Sequence, residues 1–272
     1  MDPRTGKKIR MGRLFRADGH ALLIAYSHGV LRGPILGLDR ARDLAPGLGL
    51  LRDADGVMVS PGLLPLLEDE FVGLDAPALI IQADWMNAGR THAGSRVYDE
   101  GVSAAMVAAE EAVAAGADAI MTYLWMGGSD PRQEAEEVRR NASFARACER
   151  VGLPLMIESR ALRDETLPDD RVDLELLRFH TRVAAELGAD LIKTIYAGDV
   201  ESFRQVVDGC HVPVLVAGGS KRTDDDATRV AEETMAAGAA GIVFGRNIFQ
   251  AGDATGMLHR LLRIVHPAQT GA

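Results

Sequence analysis

Apolar residues fall along this chain in short runs separated by polar loops. Eight runs rich in Val, Ile and Leu stand out: Ala21–Tyr26, Gly56–Ser60, Ala78–Ala83, Ala119–Leu124, Leu153–Ile157, Leu191–Tyr196, Val214–Ala217 and Ile242–Phe244. Runs this short, with no polar alternation, predict strands covered on both faces, as in parallel sheets. Between them lie Ala-rich segments with helical spacing, such as VSAAMVAAEEAVAAG (Val102–Gly116) and LELLRFHTRVAAELG (Leu174–Gly188). Three helix ends look alike: AAGADAI, ELGADLI and AAGAAGIV. They put Gly116, Gly188 and Gly238 where a helix closes on a left-handed residue, and a strand follows at once. Eight such units in 272 residues predict an α/β protein, a single (β/α)8 TIM barrel spanning 1–272 with residues 1–20 as an N-terminal extension. The segment Ala161–Val172 reads as a second excursion from the barrel. An open Rossmann-like sheet is the alternative, weakened by the lack of GxGxxG at the first strand.

Composition narrows the functional classes. No apolar run approaches the ~20 residues that span a bilayer. The basic start lacks the apolar core of a secretory signal, so no membrane partner and a cytoplasmic location are expected. A formal charge of −9 argues against nucleic acid as a partner, while leaving small phosphorylated substrates open. Two isolated cysteines, Cys148 and Cys210, make neither a disulfide framework nor a zinc site. No HExxH or similar cluster appears, so neither a metal nor another cofactor is expected.

A barrel carries its chemistry at the C-terminal ends of its strands. Lys193 interrupts the apolar run LIKTIY. A buried amine is costly unless it has a partner or a task, and burial lowers an amine's pKa, as nucleophilic attack requires. A closed barrel offers no edge from which this lysine could snorkel. VAGGSK (Val216–Lys221) and FGRNIFQ (Phe244–Gln250) end the seventh and eighth runs, where many barrels bind phosphate on backbone N–H groups. There Gly218, Gly219, Ser220 and Gly245 would admit the anion and Arg246 would add charge. After the first run, Ser27 and His28 lie at the barrel top. His28 either moves a proton, orients a substrate hydroxyl or caps its loop. Asp84 and Trp85 are expected to end the third strand, Tyr123 and Trp125 the fourth, and Glu158 and Ser159 the fifth. Glu158 and Tyr123 are the candidates for the acid/base that imine chemistry needs, each with the alternative of a supporting hydrogen bond. Asp199 is expected to cap the helix that follows it.

Taken together and in order, SHGVLRGP, GADLIKTIYAGD, VPVLVAGGSK and GAAGIVFGRNIFQ resemble the archaeal-type class I fructose-bisphosphate aldolase family. Aminodideoxyheptulosonate synthases and autoinducer-2 phosphate thiolases are relatives of that family. The resemblance implies that Lys193 is the Schiff-base lysine and that Gly218, Gly219, Ser220, Gly245 and Arg246 hold a substrate phosphate. It also implies that His28 is the family's first-loop histidine and that the chain forms a homo-oligomer, a pentamer or decamer. Two departures stand out. Ser27-His28-Gly29 replaces the family's Asp-His-Gly, and the family's Tyr-Pro-Arg-Gly segment corresponds to IESRALRD, which has no tyrosine. The expected function is a Schiff-base aldolase acting on a phosphorylated ketose. The alternatives are thiolase-type acyl transfer from a phosphorylated diketone to coenzyme A, heptulosonate synthase-type transaldol transfer, and sugar-phosphate binding without catalysis.

Overall fold

The computed structural model of the chain describes residues 2–38, 49–87, 101–162 and 172–267. All eight predicted runs form barrel strands, numbered β1 (Ala21–Ala25), β2 (Gly56–Val59), β3 (Ala78–Gln82), β4 (Ala119–Met126), β5 (Leu155–Ala161), β6 (Leu191–Thr194), β7 (Val214–Ala217) and β8 (Gly241–Phe244). Each pairs in parallel with its neighbour in the chain, and β8 pairs with β1 to close a (β/α)8 barrel. The continuous apolar runs now have a physical cause. One set of alternating residues, including Leu22, Ile24, Val57, Ile81, Ile120, Ile192 and Val216, packs outward against the helices. The other set, including Leu23, Met58, Ile80, Met121, Met156, Leu191, Leu215 and Val243, fills the barrel. Strand parity therefore fixes which polar residues face inward: Tyr123 follows Met121 by two, Glu158 follows Met156 by two, and Lys193 follows Leu191 by two.

Some expectations need correction. β4 and β5 run beyond Leu124 and Ile157, because they pair residue for residue as far as Met126 and Ala161 and rise above the barrel together. Glu158 and Ser159 thus lie within β5 rather than at its end. β6 stops at Thr194, leaving Ile195 and Tyr196 outside. Val102–Gly116 is not one helix: Ser103–Ala105 pairs antiparallel with Asp84–Met86, and the helix spans only Ala109–Ala114. Asp84 and Trp85 belong to this side hairpin rather than to the third barrel strand. Alanine-rich composition suits a helix, but the backbone of Asp84–Met86 leaves the barrel and takes its hydrogen bonds from this segment. In the excursion expected at Ala161–Val172, Ala161 closes β5, and 163–171 lie outside the described residues. Gly116, Gly188 and Gly238 have φ of 84°, 101° and 90°, the left-handed turns expected of them. Asp199 caps the helix Val200–Asp208 by accepting from the Ser202 N–H at 2.9 Å.

The N-terminal segment packs against the barrel. Asp2 caps a helix, Pro3–Leu14, which lies across the N-terminal end of the strands, with Leu14 fully buried beside the inner core. Basic side chains that recur at multiples of three residues along it and just past its end meet a repeated device. Asp55, Asp118 and Asp190 each precede an even-numbered strand and accept from an N–H at the start of the strand before it, that of Leu22, Leu79 or Leu155, its first or second residue. Arg16, Arg13 and Lys7 ion-pair with these three carboxylates in turn. The fourth equivalent position holds Ala240.

The last helix, Ala254–Val265, is tied to the same end. His266, 2% exposed, shares Nδ1 with Asp18 (2.7 Å) and Nε2 with Asp55 (2.9 Å). Burial disfavours the imidazolium, but the hydrogen bonds to Asp55 and Asp18 outweigh it, and the pKa lies above the ordinary 6.5 despite nearby Arg16. A raised histidine stabilises fully below about pH 6.5 and loses that contribution as pH rises through its folded pKa. Thermal unfolding of His266→Gln should therefore fall furthest below wild type below about pH 6.5 and converge toward it as pH rises above that. A gap that widened with pH would contradict this. No helix among the described residues is long and apolar enough to cross a membrane.

Candidate active site

At the C-terminal mouth the inward residues of β4, β5 and β6 lie side by side. Tyr123 is in register with Glu158, and Glu158 with Lys193. The Lys193 Nζ donates to Glu158 Oε2 at 2.6 Å, with the two residues 6% and 5% exposed. The lysine is thus inside the barrel, as expected, and its burial is met by a partner of opposite charge. Glu158 also has Arg160 on its other oxygen, Nη1 to Oε1 3.7 Å. The Arg160 guanidinium lies over the Trp125 ring at 5.9 Å, and Trp125 stacks on Tyr123 with centroids 6.1 Å apart. Burial, followed by the charges of Glu158 and Asp84, holds the Tyr123 phenol well above its ordinary pKa, so it stays protonated and can donate but not act as a base.

The first loop closes the opposite side. Ser27, buried, precedes the short helix His28–Arg32. The His28 ring meets Phe249 edge-on at 5.6 Å. Burial, then the positive charges of Arg246, Lys193 and Arg32, push the His28 pKa down to about 3. The imidazole is therefore neutral throughout the neutral range and has no proton to give as an acid. Its Nδ1 is buried without a hydrogen-bond partner among the described residues.

The two glycine loops come together after β7 and β8. Gly219 has φ of 66°, and a Cβ on Gly218 would press on the Phe244 ring and the Asn247 amide at 3.0 and 3.1 Å. Gly245 follows β8 and is packed so closely that a Cβ would strike the Ala25 carbonyl and the His28 ring. Arg246 begins the short helix Arg246–Phe249, and Ser220 is exposed on the loop. The structure thus gathers all ten predicted residues at one end of the barrel, in two groups flanking its mouth.

Asn247 is a residue that sequence reasoning passed over. Fully buried, it donates to the carbonyls of Gly218 (2.7 Å) and Ser220 (3.2 Å) and accepts from the Arg222 N–H (2.8 Å). It fastens the β7 loop to the β8 loop. Asn247→Ala leaves three backbone groups short of a partner, at about 1–3 kcal/mol for each that stays buried and unpaired. A loss of about 2–4 kcal/mol in chemical denaturation is expected. Arg160, Arg140 and Gln82 were also missed. Their partners lie in other strands, on the backbone or one turn away on the same helix, and only Arg160, two residues beyond Glu158, and Gln82, two beyond Ile80, carried a parity signal. Asp84 is fully buried, and burial pushes its carboxyl up to about 8 against the pull of Arg140, 3.1 Å away.

With the geometry in place, comparison with known proteins decides the family. The profile of the DeoC/LacD family aldolases matches residues 43–251. The chain belongs to this family. Among relatives of this DeoC/LacD family member, an uncharacterized aldolase of Saccharolobus solfataricus is 31% identical over 262 residues, 96% of this chain and 94% of that protein. The 2-amino-4,5-dihydroxy-6-oxo-7-(phosphonooxy)heptanoate synthase of Streptomyces griseus is 31% identical over 270 residues, 97% of this chain and 92% of that one. The solved structure of an archaeal fructose-1,6-bisphosphate aldolase, with its catalytic Lys covalently bound to the carbinolamine intermediate of the substrate, matches with a TM-score of 0.77. It is 29% identical and covers 95% of this chain and 99% of its own.

Proposed function

We propose that this DeoC/LacD family member is a class I aldolase in which Lys193 forms an imine with a phosphorylated ketose. The observation that carries the reading is the Lys193–Glu158 pair, 2.6 Å apart and buried inside the mouth of the barrel. The solved aldolase with a substrate adduct on its lysine supports it.

The chemistry follows from the pair. As the substrate carbonyl carbon approaches, the Lys193 ammonium passes a proton to Glu158, and the free amine attacks. The carbonyl oxygen takes one proton from the attacking amine nitrogen and one back from Glu158 and leaves as water, giving an iminium and leaving Glu158 as the carboxylate. That cation draws the electrons of the adjacent C–C bond as the hydroxyl one carbon further on gives its proton to the Glu158 carboxylate. An aldehyde departs and an enamine stays on Lys193. Glu158 returns a proton to the enamine carbon, and water releases the ketone and restores the amine. Glu158 thus serves in the segment where the resembling family carries its tyrosine acid/base. Tyr123, held protonated, donates a hydrogen bond toward the reacting oxygens. Gly218, Gly219, Ser220, Gly245 and Arg246 hold the phosphate, and Ser27 and neutral His28 bound the pocket between the phosphate and the lysine.

Sodium borohydride reduction with dihydroxyacetone phosphate and with larger phosphorylated ketoses tests the reading. A ketose-sized mass gain on a peptide containing Lys193 is expected. No adduct with any of them, or undiminished cleavage by Lys193→Met, would overturn it. The relative from Streptomyces griseus favours one second reading, transfer of an aldol fragment to another carbonyl compound. Product that forms only when two carbonyl substrates are supplied would select it, and turnover that requires coenzyme A would select acyl transfer.

A further inference from the structure

β4 outruns its neighbour. The last pair between β3 and β4 is Gln82 with Met121, and the Ala83 N–H still reaches the Met121 carbonyl at 2.8 Å. Beyond it the chain turns away into the hairpin at Asp84–Met86, while β4 continues to Met126. On the side facing β3, the backbone groups of Tyr123, Trp125 and Gly127 therefore lack a strand. Side chains take its place. Asp84 accepts from the Tyr123 N–H at 2.9 Å, and Arg140 and Asn141 donate to the Tyr123 carbonyl. Glu137 accepts from the Trp125 N–H at 3.0 Å, and Glu134 from the Gly127 N–H at 2.9 Å. Glu134, Glu137 and Asn141 stand at i, i+3 and i+7 of the helix Pro131–Val151, one face laid along the strand edge. Arg140 joins Glu137 to Asp84, and Asp84, Glu137 and Asn141 are all at most 2% exposed.

This substitute edge holds the side of β4 that β3 leaves open, while β5 pairs the other side. The side chains it fixes, Tyr123 and Trp125, point into the barrel mouth and stack on each other beside Glu158, with Arg160 over Trp125. Buried acceptors placed this accurately serve a backbone that must not shift. We propose that Glu137 is a positioning residue: through the Trp125 N–H and through Arg140 it sets the stance of the Tyr123–Trp125 wall, and thereby the seat of the substrate half that lies away from the phosphate. The inference rests on the imine reading above for what the wall faces, but its geometry can be tested without turnover.

Glu137→Asp keeps a carboxylate near Arg140 but is too short to reach the Trp125 N–H. Glu137→Gln keeps an oxygen at full reach. Trp125 is the only tryptophan left once Trp85 is replaced by Phe, so its emission reports the wall directly. In that background Glu137→Asp should shift the emission of Trp125 to the red, and Glu137→Gln should leave it near the wild-type position. A misplacement on the ångström scale costs up to about 100-fold in rate. Cleavage of a full-length phosphorylated ketose should thus fall about 10- to 100-fold in kcat/KM for Glu137→Asp. Borohydride trapping of dihydroxyacetone phosphate on Lys193, which uses no far half, should change less than about twofold, and Glu137→Gln should recover most of the cleavage. Unchanged emission in Glu137→Asp overturns the inference whatever the chemistry, and so does equal loss for the whole ketose and the fragment. A wild-type protein that traps no carbonyl compound overturns the imine reading instead, and the emission comparison still decides the role of Glu137.

Discussion

Lys193→Met should lose C–C cleavage by about 10⁴-fold or more, the scale on which covalent catalysis fails when its nucleophile is removed. The same substitution carries a second effect that separates it from ordinary site mutants. Glu158 is buried, and its partner at 2.6 Å is taken away. Breaking a buried pair from one side costs about 3–5 kcal/mol, because a charge is left uncompensated. Arg160, 3.7 Å from the other oxygen, meets part of that demand, so the loss belongs at the low end. Adding Glu158→Gln removes the stranded charge, and the double variant should regain most of the stability while remaining inactive. Chemical denaturation of the two single variants and the double variant, set against initial rates, checks both statements. Full stability in Lys193→Met alone would show that the two side chains are not coupled in solution.

Gly245→Ala should be the most disruptive single methyl in the upper barrel. Its Cβ would meet the Ala25 carbonyl oxygen and the His28 ring, with the Ala25 Cβ at 3.3 Å behind them. A flexible side chain could step aside, but the carbonyl belongs to the end of β1, whose preceding residue Ile24 is in register with Phe244 of β8. The strands must spread at the closure of the barrel or the His28 loop must move. Overpacking of this kind costs about 1–3 kcal/mol, more when backbone is the obstacle. A drop of about 3 kcal/mol, with inorganic phosphate binding lost by calorimetry, is expected. Gly218→Ala has the Phe244 ring and the Asn247 amide as its nearest obstacles, at 3.0 and 3.1 Å, and should lose about half as much. If the order of the two variants were reversed, the packing at Gly245 would not be what limits the site.

Much of this architecture was legible because two features survive in one dimension. The apolar runs mark strands buried on both faces, and a lone lysine inside such a run declares itself, as Lys193 did. Parity then carries the inward direction to Glu158 and Tyr123. What stayed hidden depends on backbone atoms and on partners remote in the chain. Asn247 lies within FGRNIFQ, yet its task is to hold two carbonyls about 28 residues away, which no local pattern announces. Arg140 and Glu137 look like ordinary members of a charged helix until β4 is seen to outrun β3. Val102–Gly116 misled for the opposite reason: its composition favours a helix, but the orphaned backbone of Asp84–Met86 claims part of it as a strand. The extension at the start was expected as an excursion, although Lys7, Arg10, Arg13 and Arg16 recur at helical spacing and meet their acceptors under the barrel.

That helix has a bearing on traffic. Pro3–Leu14 stoppers the floor of the cylinder, and Met58, Met121, Met156 and Leu191 fill the shaft above it. On the imine reading, the described residues leave Lys193 to be reached from the mouth rather than from below. If the proposed aldol split takes place there, the fragment freed first has to slip out past its sibling still tethered to the amine, so the width of that mouth would bear on the departure of the first piece.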